Sequence, residues 1–141
     1  MTRIAILGGP RTGKTTFATK LAKKLGLLVH STGKRSEDPV VHTDSFIKLG
    51  WDEIPNHVIA KLELETDFIL EGCQAARVLR RWFKQDPTAP KLDRVYVFTQ
   101  AKMRRSAAHD AMAKGISSII TGLLPQLREA GVIVTTDPEN P

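Results

Sequence analysis

The chain has 141 residues, enough for one domain and hardly two, and 41% of them are hydrophobic, so a core can form. Lys and Arg number 21 against 15 Asp and Glu, giving a net charge of +6 and a pI near 9.7, a balance that suits a phosphate-rich partner, either nucleotide or nucleic acid. The single cysteine, Cys73, excludes an internal disulfide and any multi-cysteine metal site, and the apolar runs are too short to span a membrane.

In chain order, residues 3–7 read as a buried strand around Ile4-Ala5-Ile6-Leu7. The start runs straight into this strand, so no signal peptide and a cytoplasmic location are expected. The strand breaks into Gly8-Gly9-Pro10-Arg11-Thr12-Gly13-Lys14-Thr15, which has the G-x-x-x-x-G-K-[ST] spacing of a phosphate-binding P-loop. Glycines at both ends permit backbone conformations that side chains block, and successive N–H groups can then form a nest for anionic oxygens. In that pattern Gly8 through Thr16 bind the nucleotide. Lys14 reaches the β- and γ-phosphates, Thr15 offers its hydroxyl to Mg²⁺, and the following helix adds its positive end. The alternative is a glycine-rich turn between a strand and a helix.

Residues 14–25 form the first expected helix, with Phe17, Leu21, Ala22 and Leu25 on one face and Lys20, Lys23 and Lys24 mostly outside. Residues 27–30 read as a second short strand. After a polar stretch, Val40-Val41 leads to His42-Thr43-Asp44-Ser45-Phe46, which places an acid just past an apolar segment. A helix is expected at about 52–65, with Ile54, Val58, Ile59 and Leu62 inward. Asp67 to Gly72 reads as a strand ending in Glu71-Gly72, the shape of a Walker B strand end. Residues 74–84 form a helix carrying Arg77, Arg80, Arg81 and Lys84. Residues 86–90 are a loop and 94–98 a strand. Residues 101–114 read as a basic helix with Lys102, Arg104, Arg105 and His109. Residues 115–130 read as an amphipathic helix despite Pro125, and 132–135 as the last strand.

Strands alternating with helices predict an α/β fold: one domain over 1–141, with a five-stranded parallel sheet and helices on both faces. Ligands bind at the carboxyl ends of such strands. Thr15, Asp44, Glu71, Gln100 and Thr136 all follow strand ends and therefore converge on one edge.

Phosphoryl transfer needs positive charge around the γ-phosphate and a group that positions the nucleophile. Arg104 and Arg105 are the candidates for the first, against the alternative of a solvated basic face. Asp44 is the candidate base for an acceptor hydroxyl, against an Asx turn or helix cap. Glu71 is a candidate for the Mg²⁺ shell or for substrate, against an acid that merely ends a strand. Arg77 is a candidate for acceptor phosphate, against a surface helix face.

These residues together resemble the small P-loop kinases, from nucleoside-monophosphate kinases to polynucleotide kinase. Ile69-Leu70-Glu71-Gly72 followed by Arg77 resembles the strand-acid-glycine-arginine segment of nucleotide kinases. Val41 to Phe46 resembles the segment that carries the catalytic aspartate of polynucleotide kinase. Met103 to Lys114 sits where that superfamily places its arginine-bearing lid, so 101–114 is expected to be a short basic lid helix. The full Asp-Gly-Phe-Pro-Arg signature of monophosphate kinases is absent, as is the Asn-Lys-x-Asp motif of GTPases. The short chain and the Asp44-to-Trp51 stretch look like compact phage kinases, some of which phosphorylate the hydroxymethyl group of hydroxymethyluracil in DNA. The resemblance implies ATP and Mg²⁺ as cofactors, DNA or a nucleotide as acceptor, no membrane partner, and the host cytoplasm if the chain is phage-encoded. A small-metabolite or nucleoside kinase and a non-kinase nucleotide-binding ATPase remain the alternatives.

Overall fold

The computed structural model describes residues 2–9, 11–26, 40–42, 54–87, 92–102, 104–139 and 141. Strand β1 (Arg3–Gly8) is buried on both sides, which is why it reads as a continuous apolar run rather than an alternating one. It is flanked by β3 (Phe68–Glu71) and β4 (Arg94–Phe98), with β2 (Val40–His42) outside β3 and β5 (Ile133–Thr136) outside β4. All neighbours are parallel, in the order β2-β3-β1-β4-β5. The register pairs Ile6 with Glu71 on one side and with Tyr96 on the other.

The helices are α1 (Lys14–Lys24), α2 (Ile54–Glu63), α3 (Ala75–Gln85) and α4 (Ala107–Glu129). Chain direction decides which face each one covers. From β1 the chain crosses to β2 in one direction, and every later crossover runs the other way. Right-handed crossovers therefore place α1 on one face and α2, α3 and α4 on the opposite face. The packing follows: Phe17, Ala18, Leu21 and Ala22 of α1 meet Ile4, Ile6, Ile69 and Phe98. On the other face Val58 and Leu62 of α2, Leu79 and Trp82 of α3, and Ile120 and Leu127 of α4 pack on Ala5, Leu7, Phe68, Leu70, Val95 and Val97. Alternate residues of β1, β3 and β4 thus serve opposite layers, and each large aliphatic side chain so buried contributes about 1.5–3 kcal/mol.

Several expectations shift. The strand paired outside β3 is Val40–His42, whereas the expected strand at 27–30 lies outside the described residues, as do Pro10, Thr43 to Trp51 and Met103. The separate helices at 101–114 and 115–130 are instead one helix, α4, beginning at Ala107. Two causes act. Lys102 N donates to Arg11 O at 2.7 Å, which holds the chain beside the first loop in a non-helical path. Ser106 then caps the helix, its Oγ accepting from His109 N at 3.1 Å. Further along, Ile116, Ile120, Leu123 and Leu127 make one buried stripe, whose burial carries the helix through Gly115 and Pro125. The expected short lid helix is therefore the amino-terminal part of a long packed helix. Among the described residues, no helix is long and apolar enough to cross a membrane.

Candidate functional site

The loop after β1 leaves the sheet toward α1, while the chains after β3 and β4 leave toward the opposite face. That divergence opens a crevice at the carboxyl end of β1, the position at which open α/β sheets bind ligands. The loop turns through two left-handed residues, Arg11 (φ 59°) and Gly13 (φ 87°), and Gly13 is the N-cap of α1. The first-turn N–H groups of α1 therefore face the crevice without a side-chain cap.

Gly9 is set by close approach. A methyl group on it would lie 2.9 Å from Ala113 Cβ and 3.1 Å from Arg105 Nη2. The second glycine of the motif, nominally a free position, is thus where α4 and Arg105 touch the loop.

Lys14 is 5% exposed, and its Nζ lies inside the loop. It donates to Gly9 O at 2.5 Å, and it stands 3.5 Å from Thr12 Oγ1 and 3.8 Å from Cys73 Sγ. Thr12 is fully buried and donates to Gly9 O at 3.0 Å, bracing the turn. Thr15 Oγ1 donates to Glu71 Oε1 at 3.0 Å. Glu71 is 2% exposed at the end of β3 and points to the α1 face, as the alternation after Ile69 requires. Thr15 and Glu71 thus juxtapose a hydroxyl and a carboxylate, hard oxygen donors of the kind Mg²⁺ takes alongside water and phosphate oxygens. Among the described residues, no cluster of three or more His, Cys, Asp or Glu forms a denser metal site.

Two cavities flank the loop. One of about 510 Å³ lies between α4 and the ends of β4 and β5, touching Gly9, Arg105, Lys114 and Ile120. The other, about 550 Å³, runs from Arg11 and Gly13 past Thr16, Phe17 and Lys20 to Lys102 and Pro138. Its far wall is held by Asp137, whose carboxylate accepts from Thr99 N at 2.8 Å and from Thr99 Oγ1. These hydrogen bonds, with the Lys102 charge nearby, hold the Asp137 carboxyl below its ordinary value of 3.8.

The structure brings together Gly8, Gly9, Arg11, Thr12, Gly13, Lys14, Thr15, Glu71 and Arg105. Thr16 borders the larger cavity. Arg104 is exposed just before α4, and Arg77 is exposed on α3, one turn from the β3 end. Asp44 and Pro10 lie outside the described residues. Cys73, Ala113 and Asp137 carry no local signal that marks them as neighbours of the loop or of its cavities. Each belongs to the site through contacts 38 to more than 100 residues apart in the chain, for which no local pattern exists.

No protein-family model matches the chain. Two adenylate kinase sequences of Micrococcus luteus are each 36% identical to it over 86 residues, covering 51% of this chain and 42% of theirs. The chain thus spans less than half the length of the curated relatives it matches, and over that part it is similar to a nucleotide kinase.

Proposed function

We propose that the chain is a single-domain P-loop kinase that transfers the γ-phosphoryl group of ATP to a hydroxyl of a nucleotide or nucleic-acid acceptor. The acceptor favoured is the hydroxymethyl group of 5-hydroxymethyluracil in DNA. The observation that carries the phosphotransfer reading is the convergence on one loop of Lys14, the Thr15–Glu71 hydrogen bond and Arg105. The partial similarity to adenylate kinase supports ATP as donor.

In this reading the nucleotide's phosphates sit on the N–H groups of Arg11 to Thr16, and its base extends along the 550 Å³ cavity toward Pro138. Lys14 places its ammonium on the β- and γ-phosphate oxygens, and Arg105, with Arg104, offsets charge on the transferring group. Thr15 and Glu71 are the oxygen donors for Mg²⁺, which when bound neutralises phosphate charge. Asp44 takes the acceptor's proton as its oxygen bonds to the γ-phosphorus, the bond to the β,γ-bridging oxygen breaks, and ADP leaves. Arg77 holds an acceptor phosphate.

The test is incubation with γ-labelled ATP and a set of acceptors: hydroxymethyluracil DNA, 5′-hydroxyl DNA, free nucleosides, and monophosphates including AMP. Label is expected on hydroxymethyluracil DNA. Label on AMP alone would make the chain a monophosphate kinase, and label on none would refute phosphotransfer to nucleic-acid or nucleotide acceptors.

A further inference from the structure

Helix α3 is divided into two unlike halves. Ala75, Ala76, Val78, Leu79, Trp82 and Phe83 are buried against the sheet and its neighbours, while Arg77, Arg80, Arg81 and Lys84 are all exposed. The helix carries no acidic residue. Its origin matters as much as its charge. It begins at Ala75, four residues after Glu71 and two after Cys73, whose side chains reach Thr15 and Lys14 respectively. The cationic row therefore starts at the candidate transfer site and runs away from it.

We infer that this face of α3 is a track for the phosphate backbone of duplex DNA, guiding the acceptor to the P-loop. The inference rests on the nucleic-acid reading of the acceptor. At about 1.5 Å per residue, residues 77 to 84 cover about 10 Å. One strand of a duplex presents a phosphate about every 3.4 Å of axis, so the row matches about three successive phosphates. A mononucleotide acceptor held by Arg77 would leave Arg80 and Lys84 out of reach of its single phosphate, and Arg81, which donates to Asn56 Oδ1 at 3.5 Å, stays exposed beside them. The exposed face offers no aromatic side chain, since Trp82 and Phe83 are both buried. Unpaired strands are held by stacking on such rings, and a face without them suits a duplex gripped only through its backbone. Binding is therefore sequence-independent and steeply salt-dependent.

The test is fluorescence anisotropy with a labelled duplex oligonucleotide, without ATP, from 0.05 to about 0.3 M salt. The wild-type chain is compared with an Arg80→Gln, Arg81→Gln double variant. A Lys23→Gln, Lys24→Gln double variant on exposed α1 positions of the opposite face removes the same charge. Each lost phosphate contact lowers the salt slope by about 0.9, so the α3 variant is expected to lose about 1.8 units of slope. The α1 variant should keep the wild-type slope, and an Arg80→Lys, Arg81→Lys variant should restore it. Absence of wild-type binding, or equal losses in the α1 and α3 variants, overturns the inference. Localised binding without label transfer to DNA would sink the reading of DNA as the acceptor and leave the track standing. Transfer to DNA with an unchanged DNA KM in the α3 variant would sink the track alone.

Discussion

Gly9→Ala tests whether α4 seats the loop. A methyl group there would stand 2.9 Å from Ala113 Cβ, 3.1 Å from Arg105 Nη2 and 3.2 Å from Ala113 Cα. Ordinary carbon contacts begin near 3.5 Å, so either α4 retreats by roughly half an ångström or the loop does. Ile116, Ile120, Leu123 and Leu127 anchor α4 in the core, and Thr12 and Lys14 brace the loop through Gly9 O. Neither side gives freely, and overpacking of this kind costs about 1–3 kcal/mol. Ala113→Gly removes the nearest clash but introduces a mid-helix glycine, at a cost of about 1 kcal/mol. The double variant should therefore be more stable than the sum of the two single changes by about 1 kcal/mol. The rescue is incomplete because Ala113 Cα remains close. Urea unfolding of the four proteins measures the cycle, with nucleotide binding as a second readout because the methyl group crowds Arg105 in both proteins that carry Gly9→Ala. Strict additivity within about 0.3 kcal/mol would refute the contact as the reason for glycine at this position.

Glu71→Gln keeps the acceptor oxygen for Thr15 but removes the carboxylate charge, and is expected to raise the Mg²⁺ needed for half-maximal turnover by about 10–100-fold. A titration of activity against Mg²⁺ with an unshifted midpoint would exclude Glu71 from the metal's surroundings. Asp137→Asn addresses the strut between the ends of β4 and β5. Because the folded carboxyl lies below its ordinary 3.8, the unfolded chain takes the proton first as the pH falls. The contribution of this group is full above that value and drains as the pH drops through the lowered one. The variant should be less stable at neutral pH and show a flatter fall in Tm below about pH 4, and parallel Tm curves would contradict this.

Some of this molecule is written in short stretches. Ile4 to Leu7 is apolar throughout because both faces of β1 are covered, so its burial can be read from four residues. The buried stripe of α4 also shows in its spacing, but the start of the helix at Ala107 does not. Lys102, Arg104 and Arg105 have adequate helix propensity. The bond from Lys102 N to Arg11 O, made across 91 positions, takes them out of the helix. Glu71 was recognisable as a strand-end acid, but its bond to Thr15 depended on β3 lying beside β1 in a register that turns Glu71 toward α1.

The sequence by itself determined the glycine-rich loop, the strand that precedes it and the helix that follows. Those features depend on which φ values adjacent residues permit and on the period of apolar side chains, both properties of contiguous chain. Only the tertiary structure decided that Arg105 and Ala113 close on Gly9, that Cys73 lies by Lys14, and that Asp137 ties the end of β5 to Thr99. Those contacts follow from strand order and crossover hand, which bring distant segments to one sheet edge through packing that no local stretch contains.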